Sequence, residues 1–259
     1  MDLWERLAGL RAANERAVLV TVVATRGSTP RKPGAKMLFF PDGHIEGTVG
    51  GGKVEHVIRT AAARVLANEQ AAVVTHNLTT ELAMCCGGQM TFFLEPIMSQ
   101  PVLIVFGCGH VGTALIEAAL PLGFDIVAVD DLVENANPER LPQATRIINS
   151  YEPEDLRDLP TGDNVYTVIL TREHAFDQRL LEHCITRPGR YLGVIGSERK
   201  AQMQRERLAA KGFDAALVDK VRCPIGLDIG AETPAEIAVS ICAELTRSRR
   251  GARAPTPTA

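Results

Sequence analysis

The stretch Val102-Leu103-Ile104-Val105-Phe106, followed at once by Gly107-Cys108-Gly109-His110-Val111-Gly112, constrains the fold more than any other part of the chain. A short run of large apolar residues predicts a strand buried on both faces, and the G-x-G-x-x-G spacing at its end predicts a tight turn into a helix. Buried parallel strands need crossover connections, so this one junction asks for a layered α/β arrangement.

The flanking sequence supplies the partners. Further strands are expected at Asp125 to Asp130, Thr145 to Ile148, Val165 to Leu170 and Tyr191 to Ile195, alternating with helices over 111–121, 174–185, 197–211 and 234–246. Together they predict a Rossmann-like, doubly wound parallel sheet over residues 101–246. Thr233 as cap, Pro234 at the first helical position and Glu236 as the far half of a capping box mark the start of the last helix. Residues 247–259, with Arg247, Arg249, Arg250 and Arg253, read as a flexible basic tail. Upstream, residues 1–98 predict a small α+β domain. It comprises a helix over 2–13, a strand at Ala17 to Ala24, and a hairpin of Lys36 to Phe40 and His44 to Val49 around Pro41-Asp42-Gly43. A helix to about Ala67 and strands at Ala71 to His76 and Gln89 to Ile97 complete it, and Met98-Ser99-Gln100-Pro101 reads as a linker.

Composition narrows the partners. With 46% hydrophobic and 23% charged residues, a chain of 259 can bury a real core, and 28 Lys plus Arg against 31 Asp plus Glu leave a formal charge of -3. Such a balance offers no broad cationic surface to a phosphate backbone, and 5% aromatic residues offer few stacking platforms, so nucleic acid is not an expected partner. No apolar run reaches the roughly 18 residues of a membrane span, and the start Met1-Asp2-Leu3-Trp4 is acidic, so a cytoplasmic location without membrane attachment is expected. The six cysteines (Cys85, Cys86, Cys108, Cys184, Cys223, Cys242) show neither C-x-x-C spacing nor a disulfide framework, which points to free thiols in a reducing compartment.

Several segments could carry chemistry. Gly107, Gly109 and Gly112 allow a phosphate to sit at a helix N-terminus, and Asp130, with Asp131 as fallback, falls where a dinucleotide ribose would be read. The same glycines would also serve mere helix-sheet packing. Cys108 and His110 occupy the variable positions of that loop, where the helix dipole favours a thiolate and disfavours an imidazolium; a small residue in a turn and a surface imidazole explain them equally. Cys85-Cys86-Gly87-Gly88 reads as a loop that could expose one thiol, a buried structural cysteine being the alternative. Gly27-Ser28-Thr29-Pro30-Arg31 and Gly47-Thr48-Val49-Gly50-Gly51-Gly52 have the composition of anion-binding loops or of ordinary turns. Gly196-Ser197-Glu198-Arg199-Lys200 offers a further helix start, and His174 with Asp177 could line the mouth of the sheet, capping being the rival explanation for both. There is no H-E-x-x-H and no G-x-S-x-G, so neither a protein-built metal site nor a nucleophile elbow is expected.

Taken in order, Gly27 to Arg31, Gly34-Ala35-Lys36-Met37, Gly50 to Gly52 with Glu55, Cys85 to Gly88, the Gly107 loop, Val194-Ile195-Gly196-Ser197 and Cys223-Pro224-Ile225-Gly226-Leu227 resemble the xanthine dehydrogenase accessory proteins of the XdhC/CoxI family. The resemblance spans nearly the whole chain up to the tail. It implies a small N-terminal domain followed by a Rossmann-like domain. It also implies a chaperone that binds the molybdenum cofactor (molybdopterin), a phosphate-bearing pterin dithiolene. The chaperone holds it while a cysteine desulfurase supplies the terminal sulfur, and passes it to the molybdenum subunit of apo-xanthine dehydrogenase. Relatives of the CoxI type carry Cys where this chain has Gly52, so the XdhC branch is implied and Cys85 or Cys86 becomes the sulfur or molybdenum contact. The implied cofactor-binding set is Gly50, Gly51, Gly52, Cys85, Cys86, Gly87, Gly107, Cys108, Gly109, His110, Gly112 and Asp130. No residue set forms a complete acid-base or nucleophilic machine, which suits a carrier rather than an enzyme. The rivals are an NAD(P)-dependent oxidoreductase built on Gly107 to Gly112 and Asp130, and a scaffold that only docks partners; the oligomeric state, homodimer included, is left open.

Overall fold

Strand and turn chemistry place the elements almost where residue patterning predicts them. In a computed structural model, residues 3–13, 15–78 and 88–251 are described, without the side chains of 11 and 12. The chain divides into two units, Met1–Ser99 and Gln100–Ala259.

The first unit runs α1 (Leu3–Ala12), β1 (Ala17–Arg26), β2 (Lys36–Phe39), β3 (Ile45–Gly47), α2 (Gly52–Asn68), β4 (Ala72–Asn77) and β5 (Gln89–Ile97). Its antiparallel sheet has the order β3-β2-β1-β5-β4. The hairpin closes at Gly43, whose φ of +84° a side chain would oppose, while Asp42 Oδ1 accepts the His44 N–H at 3.0 Å. Period 3.6 on α2 puts Val54, Ile58, Ala62 and Val65 on one stripe, buried against Val18, Val20, Val22, Phe92 and Leu94 of the sheet. Helix α1 contributes Leu10 to a second cluster with Leu19, Leu38 and Phe40.

The second unit contains β6 (Val102–Phe106), α3 (His110–Ala119), β7 (Asp125–Val129), β8 (Arg146–Ile148), β9 (Gly162–Ile169), α4 (His174–Cys184), β10 (Gly189–Val194), α5 (Glu198–Ala210), α6 (Ala215–Val218) and α7 (Pro234–Arg250). All five strands are parallel, in the order β10-β9-β6-β7-β8, so the sheet is Rossmann-like with β6 at its centre. Alternation along β6 divides the interior into two cores. Leu103 and Val105 pack with Leu115, Ile116, Ile241 and Leu245 of α3 and α7, whereas Ile104 and Phe106 pack with Leu180, Leu181, Leu208 and Val218 of α4, α5 and α6. Burying each such side chain is worth about 1.5–3 kcal/mol, so β6 anchors both layers.

Three features depart from expectation. Residues 247–250 are not tail but the last turn of α7. Arginines suit the negative end of a helix dipole, and Arg249 Nη1 donates to the Leu122 carbonyl at 2.9 Å while Arg190 Nη2 donates to the Arg249 carbonyl at 3.0 Å. The remainder of the predicted tail, beyond residue 251, lies outside the described residues. Helix α6 is too short to register as a periodic segment. A parallel bridge joins Gly193 to Arg222, with the Arg222 N–H on the Leu192 carbonyl at 2.9 Å and the Val194 N–H on the Arg222 carbonyl at 2.8 Å. It forms the stub of a sixth strand with no alternation to betray it. The expected capping box is present, with the Thr233 N–H on Glu236 Oε2 at 2.9 Å and the Glu236 N–H on Thr233 Oγ1 at 3.3 Å. Among the described residues, no helix is long and apolar enough to cross a membrane.

Candidate functional site

Each glycine of the β6–α3 turn has a separate duty. Gly107 has φ +92°, and a Cβ there would lie 2.4 Å from the Leu170 carbonyl oxygen. Gly112 lets α3 lie against the turn, since a Cβ would lie 1.9 Å from the Gly107 oxygen. Gly109, with φ −68°, faces open space and carries no side-chain cap for the helix. The first helical bond runs from the Thr113 N–H to the Gly109 carbonyl at 2.8 Å, and Thr113 Oγ1 donates to the Cys108 carbonyl at 2.9 Å. The result is an uncapped helix start with room before it, the arrangement that seats an anion. His110, the first residue of α3, is exposed.

Asp130 follows β7 in sequence, but its carboxylate is only 3% exposed. Oδ2 accepts the Cys108 N–H at 2.7 Å, Oδ1 accepts the Leu132 N–H at 3.0 Å, and Asn135 Nδ2 approaches Oδ1 at 3.3 Å. The acid expected to face a ribose is therefore directed into the turn itself, where it holds the glycine loop. Cys108 is fully buried, its Sγ 3.8 Å from the Val129 carbonyl and 3.9 Å from that of Val105. Burial, helped by the Asp130 charge, pushes the thiol up to about 12, so desolvation outweighs the helix dipole and, of the two readings, the small buried residue in a turn is the one the geometry favours. Asp131 instead pairs with Arg172, whose Nη2 reaches Oδ2 at 2.8 Å, and the guanidinium holds that carboxyl below the usual range. Arg172 also lies over the Phe176 ring at 4.9 Å. Sequence reasoning missed Arg172 as a site residue; the signal available was a cation just past the β9 end, on the side where open α/β sheets take ligands.

At the ends of β9 and β10 a second network forms around Asp177, which is 1% exposed. It accepts Thr171 Oγ1 at 2.6 Å, the Thr171 N–H at 3.1 Å and Lys200 Nζ at 2.6 Å, while His174 Nδ1 stands 3.7 Å away. Lys200 Nζ also donates to the Ile195 carbonyl at 2.6 Å. At Gly196 a Cβ would lie 2.6 Å from Lys200 Cδ, so glycine leaves the lysine side chain its room. Asp177 thus ties two strand ends together rather than capping α4, whose N-cap is Glu173; Ser197 does cap α5, accepting the Lys200 N–H at 3.3 Å.

In the first unit the glycine-bearing loops converge. A Cβ on Gly88 would lie 2.3 Å from the Ser28 carbonyl oxygen, and one on Gly50 would lie 3.1 Å from Pro30 Cγ. The loop before α2 holds one of the chain's own carboxylates: Glu55 Oε1 accepts the Gly51 N–H at 3.0 Å and Thr48 Oγ1 at 2.6 Å. An acid in the first turn suits the helix dipole, and it engages an N–H that an external anion would otherwise use. Gly51 and Gly52 still border open space. Cys85, Cys86 and Gly87 lie outside the described residues; the Leu78 N–H donates to the Gly88 carbonyl at 2.9 Å, closing the base of the segment between them.

The four described cysteines are free, and burial raises every one, Cys184 to about 12 and Cys242 to about 11. Among the described residues no three His, Cys, Asp or Glu side chains cluster as a metal site.

Residues 103–245 match the family model of the XdhC Rossmann domain, and residues 10–77 match that of the XdhC and CoxI family. The chain is 33% identical over 262 residues to the uncharacterized protein YqeB of Escherichia coli K12, covering 97% of this chain and 47% of YqeB. It is 28% identical over 158 residues to a probable xanthine dehydrogenase subunit from Bacillus subtilis, covering 61% of this chain and 46% of that protein. It therefore spans about half the length of these two relatives. The molybdenum cofactor insertion chaperone PaoD of Escherichia coli is 24% identical over 265 residues, with 90% of this chain and 83% of PaoD covered. The crystal structure of a xanthine dehydrogenase from Bacillus halodurans shares the fold at a TM-score of 0.53 and 23% identity, over 99% of this chain and 98% of the other.

Proposed function

The chain belongs to the XdhC and CoxI family, and from that premise we propose that it is an accessory chaperone carrying the molybdenum cofactor for a molybdenum hydroxylase of the xanthine dehydrogenase kind. In this reading it holds the cofactor while a cysteine desulfurase delivers the terminal sulfur, then hands it to the apoenzyme. The observation that carries the reading is the pairing of an uncapped α3 start at open Gly109 with an Asp130 engaged by the Cys108 N–H. That pairing suits a ligand ending in phosphate and lacking an adenosine ribose, as a pterin phosphate does. The likeness to PaoD, a molybdenum cofactor insertion chaperone, supports the same direction.

The roles then divide by chemistry. N–H groups of Gly109 to Gly112 bind the phosphate, Asp130 keeps the loop in shape, and His110 opens the same helix, with Arg172 held at Asp131 past the end of β9. Gly51 and Gly52, which border open space, would permit close backbone approach in the first unit. When bound, the cofactor supplies a molybdenum-dithiolene centre that takes soft sulfur contacts. The likeness to the XdhC branch gives that contact to Cys85 or Cys86.

The test is to purify the protein from cells making molybdenum cofactor and measure bound pterin and molybdenum, then repeat with Cys85→Ala, Cys86→Ala and Cys108→Ala. Retention should fall in one of the first two variants and persist in the third, and the loaded parent should activate apo-xanthine dehydrogenase. Bound nicotinamide without pterin would overturn the reading in favour of an oxidoreductase.

A further inference from the structure

We propose that the cleft between α4 and α5 receives the 2-amino-4-oxo edge of a pterin ring, held by the carboxamides of Gln178 and Gln204. The cleft has a volume of about 270 Å³ and is lined by His174, Gln178, Lys200, Met203, Gln204 and Arg207, with Ser197 and Arg199 at the start of α5. That is room for a bicyclic ring with a short substituent and too little for a dinucleotide. It opens on the ligand side of the sheet, since α4 and α5 follow the carboxyl ends of β9 and β10.

The ring edge follows from polar atoms that the fold leaves unused. Gln204 is 4% exposed, yet neither Nε2 nor Oε1 has a hydrogen-bond partner; Oε1 of Gln178 is likewise buried and unpartnered. Gln178 Nε2 donates to Glu182 Oε1 at 2.8 Å, which fixes that amide with its oxygen as the idle atom. The inventory is one donor group and two acceptors, and buried amides in folded proteins are rarely left this way. The 2-amino-4-oxo edge of a pterin presents one acceptor and two donors in a row, the complementary set. An adenine edge presents a single donor beside its acceptor, and inorganic phosphate presents no ring edge at all. Lys200 is neutralised by Asp177, while Arg199 and Arg207 are exposed at the cleft, where they would meet the carboxylate of a simple pterin acid. The idle atoms have no accessible surface, so the ring reaches them only as the lining side chains rotate aside. A competing occupant is a single water in the void of about 10 Å³ that Gln204 also lines, beside Leu181 and Leu208.

The biological ligand rests on the carrier reading, but the test does not need the cofactor. Pterin-6-carboxylate, followed by its fluorescence, is titrated into the parent protein beside lumazine-6-carboxylate, which has a carbonyl in place of the 2-amino donor. The parent should prefer the pterin by about tenfold or more, as expected where a buried acceptor would be stranded by the analogue. Gln204→Leu should abolish that preference and melt no lower than the parent; should the branched side chain fail to fold, Gln204→Met serves the same end. Equal binding of both probes by the parent overturns the proposal, and so does a preference that survives in the variant. Absence of binding with a variant of raised melting temperature also overturns it, leaving the water as occupant. Failure here with molybdenum retained on purification removes the cleft and leaves the carrier reading. Success here without retained cofactor does the reverse.

Discussion

The backbone N–H of Cys108 donates to Oδ2 of Asp130 at 2.7 Å, so the turn after β6 is fastened to the residue that follows β7. Asp130→Ala strands this N–H and that of Leu132, and should lower stability by about 1–3 kcal/mol. Asp130→Asn keeps one acceptor oxygen and should fall between the two. Urea unfolding of the three proteins measures it, and an unchanged midpoint in the alanine variant would mean that the carboxylate does not support the loop.

Gly109 and Gly112 should separate binding from folding. Gly109 sits at φ −68°, and a Cβ added there would meet nothing within 4 Å, so Gly109→Ala should fold like the parent while losing retained cofactor. At Gly112 a Cβ would meet the Gly107 oxygen at 1.9 Å, and Gly112→Ala should destabilise by roughly 1–3 kcal/mol or more through overpacking. Thermal melts beside cofactor retention distinguish the two; a destabilised Gly109→Ala would contradict the open space.

Lys200 and Asp177 form a buried pair at 2.6 Å, with side chains 12% and 1% exposed. Lys200→Met leaves the carboxylate buried with Thr171 as its main support, a change that should cost about 3–5 kcal/mol. Adding Asp177→Asn should recover part of that loss, which a double-mutant cycle in urea would reveal.

Alkali should destabilise the protein through its buried thiols. Cys108 and Cys184 are raised from an ordinary 9.0 to about 12, and Cys242 to about 11. The folded state therefore keeps protons that the unfolded chain releases, so this stabilisation is complete below pH 9 and is lost progressively as pH rises toward 12. Melting temperature from pH 7 upward should bend down above about 9, and Cys184→Ala should flatten the bend. The same residues should resist iodoacetamide at neutral pH until the protein is unfolded.

Much of the fold could be read from residue order because its signals are local. Val102 to Phe106 and Gln89 to Ile97 are strands at the residues their apolar patterns mark, and Thr233 with Glu236 caps α7 as spelled. What escaped depends on direction or on distant partners. Position alone puts Asp130 at a ribose, and only its side-chain direction reveals the bond to Cys108. Arg172 at Asp131 is a contact between loops whose meeting no periodicity encodes, and the turn of Glu55 back onto the Gly51 N–H is a matter of side-chain direction. The idle amides of Gln178 and Gln204 are polar residues on helices that pattern alone assigns to solvent.

Because β6 separates two cores that share only the sheet between them, the unit can change on one side without disturbing the other. The β6–α3 turn is braced through Cys108 and Leu115 in the α3–α7 layer, whereas the cleft lined by Gln178 and Gln204 belongs to the α4–α5 layer. Substitutions accumulating among α4 and α5 would reshape the cleft while the turn beside α3 is inherited intact. A library randomised at Gln178, Met203, Gln204 and Arg207 is accordingly the economical place to redirect this scaffold toward other anionic heterocycles.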